Sequence, residues 1–184
     1  AVSRALADSD LIVVGMGKLG GAELNVSSDI DLVFVYPEEG DTAGPRPISN
    51  REYFDRLGRR IITSLNDVTA DGYVFRVDMR LRPYGDSGPL TTSFASLENY
   101  LVTQGRAWER YAWLKARAIT GARHDDLFAL VAPFVYRKYF SFSEINEIKA
   151  MKRRLERKAA AAGVDESEVK TGRGGIRDIE FTIQ

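Results

Sequence analysis

Residues 15–36 read GMGKLGGAELNVSSDIDLVFVY, and this stretch determines the predicted fold. A short apolar, β-branched run at Leu11–Gly15 leads into it and predicts a buried strand that ends at a glycine. Residues 17–25 predict a tight turn with a short helix, and Asp29–Tyr36 predicts a second strand. Because that strand is apolar on both faces after its first residues, we expect it to lie centrally in a sheet.

The rest of the chain predicts further strand structure and then helices. Tyr73–Arg82 (YVFRVDMRLR) alternates apolar and polar residues, which is typical of a strand with one buried face. Predicted helices cover residues 51–66, 93–103, 125–139 and 143–161. This order predicts an α+β fold with a domain at residues 1–120 and a helical region at residues 121–184. The chain starts at Ala1 and stops at Gln184 within a helical pattern, so we expect a piece of a longer protein, truncated at its C-terminus.

The composition of the chain argues against several kinds of partner and site. The 184 residues include 26 Lys+Arg and 26 Asp+Glu, giving a net charge of zero, and this lacks the basic excess typical of nucleic-acid binding. The chain has no cysteine, which excludes disulfides and thiolate metal sites. No apolar run approaches the ~20 residues of a membrane helix, and no signal peptide pattern opens the chain. We therefore expect a cytoplasmic protein with neither nucleic acid nor membrane as a partner.

The first motif has an alternative interpretation. Residues 15–20 match the dinucleotide-binding pattern G-x-G-x-x-G after a strand, and Glu38 lies at about the expected spacing downstream. However, the helix that follows ends before Ser27, and the remainder lacks the repeated strand-helix-strand units of a doubly wound sheet. A nicotinamide-dependent oxidoreductase thus remains an alternative that rests on this pattern alone.

Acidic residues on the predicted strands indicate metal chemistry. Asp29 and Asp31 are two residues apart, so both carboxylates share one face of a strand. Asp78 lies on the polar face of the third strand. Carboxylates in this arrangement suit Mg²⁺, and two ions about 4 Å apart would stabilise an in-line phosphoryl displacement. Each aspartate alone also fits a turn or a salt-bridged surface, but their combination with the glycine turn favours a catalytic site.

This constellation resembles the DNA polymerase beta-type nucleotidyltransferase superfamily and, more narrowly, the bacterial glutamine synthetase adenylyltransferase family. The segments that carry the resemblance are GMGKLGGAELNVSSDIDLVFVY, YVFRVDMRLRPYGDSGPL, GRAWERYAWLKARAITG, PFVYRKYFSF and GRGGIRDIEF. The resemblance implies a nucleotidyltransferase fold, in which helices flank a mixed β-sheet and a helical segment follows. It also implies that Asp29, Asp31 and Asp78 are catalytic and bind Mg²⁺.

Members of that family resemble one another in having two homologous halves. The C-terminal half attaches AMP from ATP to a tyrosine of glutamine synthetase, and the N-terminal half removes it by phosphorolysis, releasing ADP. This chain is similar to the removing half at Asn25, residues 27–31, 108–110 and 174–177. The resemblance implies glutamine synthetase, ATP/ADP and phosphate as partners, and a PII-type signal protein through the full-length protein. The attaching half and a non-catalytic docking or regulatory domain of the same fold remain alternatives.

The resemblance also implies a set of phosphate-binding residues. The superfamily's usual Gly-Ser is Gly17-Lys18 here, so either Lys18 or Ser28 would bind the terminal phosphate. The residues predicted to bind nucleotide or phosphate are Gly17, Lys18, Gly20, Gly21, Ser28, Arg80 and Arg82. The segment 106–117 either reaches the nucleotide or forms a helix that packs Trp108, Tyr111 and Leu114 inward. No role is assigned to Arg106, Lys115, Arg117, Asp178 and Glu180.

Overall fold

The computed structural model describes residues 11–70, 72–137 and 142–161. Described residues up to Tyr136 form one compact unit, and the helix at 142–161 belongs to a second. The strands are β1 (Ile12–Gly15), β2 (Ile30–Tyr36), β3 (Val77–Asp78), β4 (Thr91–Ser93) and β5 (Arg117–Thr120). The α-helices are α1 (Gly17–Gly20), α2 (Asn50–Asn66), α3 (Phe94–Thr103), α4 (Ala107–Leu114), α5 (His124–Val135) and α6 (Phe142–Ala161).

Strand β2 lies at the centre of the sheet, as its apolar sequence predicts. It pairs antiparallel with β1 along one edge and parallel with both β3 and β4 along the other. Strand β5 pairs antiparallel with the far edge of β1, which gives the order β3-β2-β1-β5 with β4 also on β2. A mixed sheet flanked by helices confirms the predicted α+β fold class.

Both faces of the sheet are covered, because alternate residues of β1 and β2 point to opposite sides. Ile12, Val14 and Val33 face a cluster built with α3, α4 and α5. Val13 and Phe34 face a second cluster built with α2. The continuous apolar run of β2 therefore reflects burial on two faces.

Helix α2 follows from its apolar spacing and its cap. The Ser49 hydroxyl accepts a hydrogen bond from the backbone N–H of Glu52 at 3.1 Å, which satisfies one of the free donors at the helix start. Phe54, Leu57 and Ile61 recur at helical intervals and pack in the second cluster. This helix therefore covers the face of β2 that begins at Ile30.

The predicted third strand is much shorter than its sequence pattern. Pairing with β2 covers only Val77 and Asp78, and the chain then turns, with the Arg82 N–H donating to the Met79 carbonyl at 3.2 Å. Tyr73 is half exposed, so the predicted apolar face does not extend over the whole run. The prediction of a strand over Tyr73–Arg82 is wrong in its extent, because alternation continues beyond the backbone pairing.

The helical half agrees with prediction in outline. Helix α5 packs Leu127 and Val131 into the core of the first unit, and it ends at Val135 rather than at 139, a position outside the described residues. The domain division predicted at residue 120 remains a prediction. Within the described ranges, no helix combines the length and apolar character needed to cross a membrane.

Candidate active site

Two of the residues predicted to bind metal lie side by side on the sheet. Strands β2 and β3 run parallel, and Asp31 is the register partner of Asp78. Asp29 directly precedes β2, where the Ile30 N–H donates to the Arg76 carbonyl at 2.9 Å. The fold thus brings the three predicted aspartates to the same end of two neighbouring strands.

The carboxylates of Asp29 and Asp78 are each paired with an arginine. Arg76 Nε lies 2.7 Å from Asp29 Oδ1, and both side chains are about half exposed. Arg80 Nε lies 2.9 Å from Asp78 Oδ2, and its hydrogen bonds to Asp78 are the main reason that the pKa of this carboxyl is below its usual range. Asp78 is therefore fully ionised at neutral pH, the state that a metal ligand requires.

The donor set fits Mg²⁺, while the side chains are arranged around arginines. Hard carboxylate oxygens on adjacent strands are suitable ligands. In the described part of the chain, no three acidic or histidine side chains converge closely enough to hold one ion together. Exposed ion pairs are weak in water, so a divalent cation would compete with Arg76 and Arg80 for Asp29 and Asp78. The three-carboxylate metal site remains a prediction.

The glycine turn reaches the carboxylates at Gly17. Its φ of +51° lies in the left-handed region, and a Cβ there would lie 2.9 Å from Asp31 Oδ2. Glycine is therefore required at this position for both backbone conformation and space. The carboxylate of Asp31 packs directly against the turn.

Gly20 and Gly21 have internal partners for their backbone donors. The Gly20 N–H donates to the Met16 carbonyl and the Gly21 N–H to the Gly17 carbonyl, both at 3.0 Å. Gly20 is buried against the backbone of Lys115. In this structure Gly20 therefore serves packing, and the phosphate role predicted for these two glycines remains a prediction.

Lys18 and Ser28 meet on the loop that follows the turn. Lys18 Nζ lies 3.3 Å from Ser28 Oγ and 3.2 Å from Asn25 Oδ1, and the Ser28 hydroxyl donates to the same Asn25 oxygen. The two candidate phosphate-binding groups are therefore neighbours. Sequence reasoning assigned no chemical role to Asn25 or Arg76, because their contacts depend on the conformation of this loop.

The alternation that placed Arg80 and Arg82 beside Asp78 fails beyond the end of β3. Arg80 turns back onto Asp78 through its side chain. Arg82 is largely buried, and its Nη1 donates to the Met79 carbonyl at 2.8 Å and pairs with Asp86 at 3.4 Å. The shared strand face predicted for Arg82 is thus wrong, since the chain turns at Met79.

The basic segment 106–117 supports the turn. Arg117 donates to the carbonyls of Leu19 and Gly20, and Lys115 Nζ pairs with Glu23 at 2.9 Å.

Helix α4 lies within the same segment, and at its start the Arg106 backbone N–H donates to the Glu109 carboxylate at 2.8 Å. The buried positions of α4 are Ala107, Glu109, Arg110 and Trp113. Of the residues predicted to pack inward, Leu114 is partly buried against the first cluster, and Trp108 and Tyr111 are partly buried. Asp178 and Glu180 lie outside the described residues.

The strand directions exclude the dinucleotide-binding interpretation. A doubly wound sheet requires the strands on either side of the glycine turn to be parallel. Here β1 and β2 are antiparallel, with Gly15 opposite Leu32. The glycine turn therefore belongs to a different kind of site.

A family model described as glutamate-ammonia ligase adenylyltransferase matches residues 3–128, more than half of the chain. The chain belongs to this family. A second model, described as GlnD PII-uridylyltransferase, matches residues 145–184. The family match covers every predicted site residue, from Gly17 to Arg82.

Individual relatives agree with this assignment. The chain is 61% identical to a protein of Chromobacterium violaceum over 95% of its own length and 19% of the relative's. It is 58% identical to one from Aromatoleum aromaticum over 96% of its length, and 52% identical to one from Pseudomonas aeruginosa over 95%. Each is named as a bifunctional glutamine synthetase adenylyltransferase/adenylyl-removing enzyme. The chain spans about a fifth of the length of these relatives.

Proposed function

We propose that this chain is a nucleotidyltransferase that removes AMP from an adenylylated tyrosine of glutamine synthetase by phosphorolysis. The observation that carries the proposal is that Asp31, the register partner of Asp78, packs against Gly17, and that Lys18, the next residue of this turn, contacts Ser28. Carboxylates suit the cation in phosphoryl transfer, and an ammonium with a hydroxyl suits the anion. The names of the relatives supply glutamine synthetase as the protein substrate.

The reaction is a displacement at the adenylyl phosphorus. An oxygen of inorganic phosphate forms a bond to that phosphorus, the bond to the tyrosine oxygen breaks, and the tyrosinate takes up a proton. The products are ADP and free tyrosine. A phenolate with a conjugate-acid pKa of about 10 is a fair leaving group, so the protein mainly positions the reactants and neutralises charge.

The chain's own residues divide this work. Lys18 and Ser28 hold the attacking phosphate by a point charge and a hydroxyl donor. Arg80, whose side chain is mostly exposed, provides a planar donor for phosphoryl oxygens once it leaves Asp78. Asp29, Asp31 and Asp78 would hold Mg²⁺, which supplies charge stabilisation for the attacking and leaving oxygens when bound.

A second candidate is the opposite direction, attachment of AMP from ATP to the tyrosine. The observation that favours it is the description of the matching family, which names an adenylyltransferase. The same carboxylates and phosphate-binding groups would serve, because both reactions displace a group at the same phosphorus. We also propose that a PII-type signal protein acts through the longer protein, in keeping with the second family match at residues 145–184.

Release of ADP tests the proposal. Wild type, Asp29→Asn and Asp67→Asn are incubated with adenylylated glutamine synthetase, Mg²⁺ and inorganic phosphate. Asp67 is the matched control, since it is an exposed acid at the end of α2. We expect phosphate-dependent ADP from wild type and Asp67→Asn and none from Asp29→Asn.

The other outcomes separate the candidates. Pyrophosphate formed from ATP with unmodified synthetase, without phosphate-dependent ADP, would establish the attaching direction. Activity retained in Asp29→Asn would contradict the metal-binding role of this carboxylate. Inactivity in both directions, together with binding of the synthetase, would favour a docking domain.

A further inference from the structure

The loop at residues 21–29 has a fixed and strained conformation. Ala22 and Ser27 have φ values of +56° and +67°, in the left-handed region that non-glycine residues rarely adopt. Such residues persist only where the surrounding structure holds them. Here the Glu23 N–H donates to the Lys18 carbonyl at 2.8 Å, and the Ser28 N–H donates to the Asn25 carbonyl at 3.1 Å.

One side-chain oxygen organises the polar groups of this loop. Asn25 Oδ1 accepts a hydrogen bond from the Lys18 ammonium at 3.2 Å and another from the Ser28 hydroxyl. The same two groups are 3.3 Å apart and are those assigned to phosphate in the proposed function. Asn25 therefore fixes the position of both donors.

The chemistry of asparagine matters at this point. An amide oxygen orients an ammonium while leaving its full positive charge for a ligand, whereas a carboxylate of the same shape would neutralise it. The two acids of the loop have other cationic partners: Glu23 pairs with Lys115 at 2.9 Å and Asp29 with Arg76 at 2.7 Å. The amide of Asn25 thus orients the Lys18 ammonium, while Asp29, which is predicted to bind metal, has Arg76 as its partner.

We infer that Asn25 is a positioning residue for a phosphoryl ligand, holding Lys18 and Ser28 in place without neutralising Lys18. This inference rests on the proposed function for the phosphate-binding role of the two donors. The ligand chemistry is a phosphate dianion, which either inorganic phosphate or the terminal phosphate of ATP provides. The inference holds for either direction of the reaction.

Two substitutions distinguish this role from a structural one. Asn25→Asp keeps the shape of the side chain and the accepting oxygen. A merely structural role therefore predicts almost unchanged phosphate affinity for Asn25→Asp and a large loss of affinity for Asn25→Ala. The electrostatic role predicts the reverse order. Asn99→Asp, at an exposed position on α3, is the control for an added negative charge.

Two readouts are used for wild type and the three variants. The first is the KM for phosphate and for adenylylated synthetase in ADP release. The second is the rise in thermal unfolding midpoint with increasing inorganic phosphate, or with ATP and Mg²⁺, which reports ligand affinity without any turnover.

We expect Asn25→Asp to weaken phosphate binding about fivefold, the effect of one added exposed ion pair. Asn25→Ala should weaken it about twofold, through looser side chains. The KM for the synthetase and all values for Asn99→Asp should stay at wild-type levels. The same order seen with ATP alone would support Asn25 while contradicting the phosphorolytic direction.

Three results would overturn the inference. The first is wild-type phosphate affinity in Asn25→Asp together with a large loss of affinity in Asn25→Ala. The second is an equal loss of affinity in Asn25→Asp and Asn99→Asp. The third is an unfolding midpoint of wild type that neither phosphate nor ATP raises.

Discussion

Replacement of Gly20 by alanine should destabilise the first unit strongly, because the added methyl group has no room. Its Cβ would lie 1.9 Å from the Lys115 carbonyl oxygen and 2.5 Å from that of Gly15. Carbon and oxygen normally approach no closer than about 3.3 Å, so the backbones would have to separate by roughly 1.4 Å. Both obstructing atoms are backbone atoms, and no side-chain rotation relieves the contact.

That separation would also break the contacts that hold the turn. Arg117 donates to the Leu19 and Gly20 carbonyls at 3.0 and 3.1 Å, and Lys115 pairs with Glu23 at 2.9 Å. Overpacking alone costs about 1–3 kcal/mol, and hydrogen bonds of a charged group contribute about 1.5–3 kcal/mol each. We therefore expect Gly20→Ala to lower the free energy of unfolding by about 3 kcal/mol or more.

Urea unfolding followed by tryptophan fluorescence measures this change, with Gly21→Ala as the matched control. A Cβ at Gly21 would meet the Glu23 side chain at 3.3 Å and the Gly17 carbonyl at 3.4 Å, and its φ of −75° suits alanine. The control should stay within about 1 kcal/mol of wild type. Equal unfolding midpoints for the two variants would refute the packing argument. A stable Gly20→Ala protein with lost phosphate affinity would assign the glycine to the ligand.

Other perturbations test the rest of the fold. Asp55→Ala should cost about 1–3 kcal/mol in urea unfolding, because the buried Thr91 loses hydrogen bonds to this carboxylate at 3.0 Å (N–H) and 2.7 Å (hydroxyl); an unchanged midpoint would contradict it. Ser49→Ala should cost about 1 kcal/mol by removing the cap of α2, and restoration by Asp at this position would confirm the reason. Burial raises the pKa of Tyr100 to about 12 in the folded protein, so the protonated phenol is more stable there than in the unfolded chain. Stability from this group is present below about pH 10 and is lost as the pH rises toward 12, since the unfolded chain releases its proton first. Tyr100→Phe should reduce that alkaline loss and also destabilise the protein at pH 7, where buried Glu109 loses its 2.7 Å hydrogen bond; an unchanged alkaline slope would contradict the assignment.

The fold could be predicted where local sequence and long-range packing agree. The apolar run of β2 identified the central strand, and the spacing within residues 50–66 identified α2, because each pattern matches the burial that the element meets. Strands β4 and β5 escaped prediction. They are three and four residues long, and β4 finds its partner β2 more than fifty residues away, so their own sequences contain little signal.

The positions of the aspartates in the candidate site could be predicted from the sequence, but their side-chain partners could not. Spacing placed Asp29 and Asp31 together, and an in-strand acid at Asp78 suggested the neighbouring strand that the structure confirms. The pairing of Asp29 with Arg76 was not predictable, because it depends on where β3 begins. The hydrogen bonds of Asn25 were not predictable either. They form in a loop in which Ala22 and Ser27 have left-handed φ values, and neither residue is a glycine that would have indicated this conformation.

The two-residue length of β3 has a consequence for local opening of the site. Asp31 lies on a strand bonded along both edges, whereas Asp78 is held by a ladder of two residue pairs before the chain turns away. Short ladders open at a lower free energy than the global transition, while central strands exchange their amide hydrogens only on unfolding. The amide of Asp78 should therefore exchange through a local fluctuation and that of Val33 through the global one. One carboxylate of the pair can then separate from the other and return while the core stays folded.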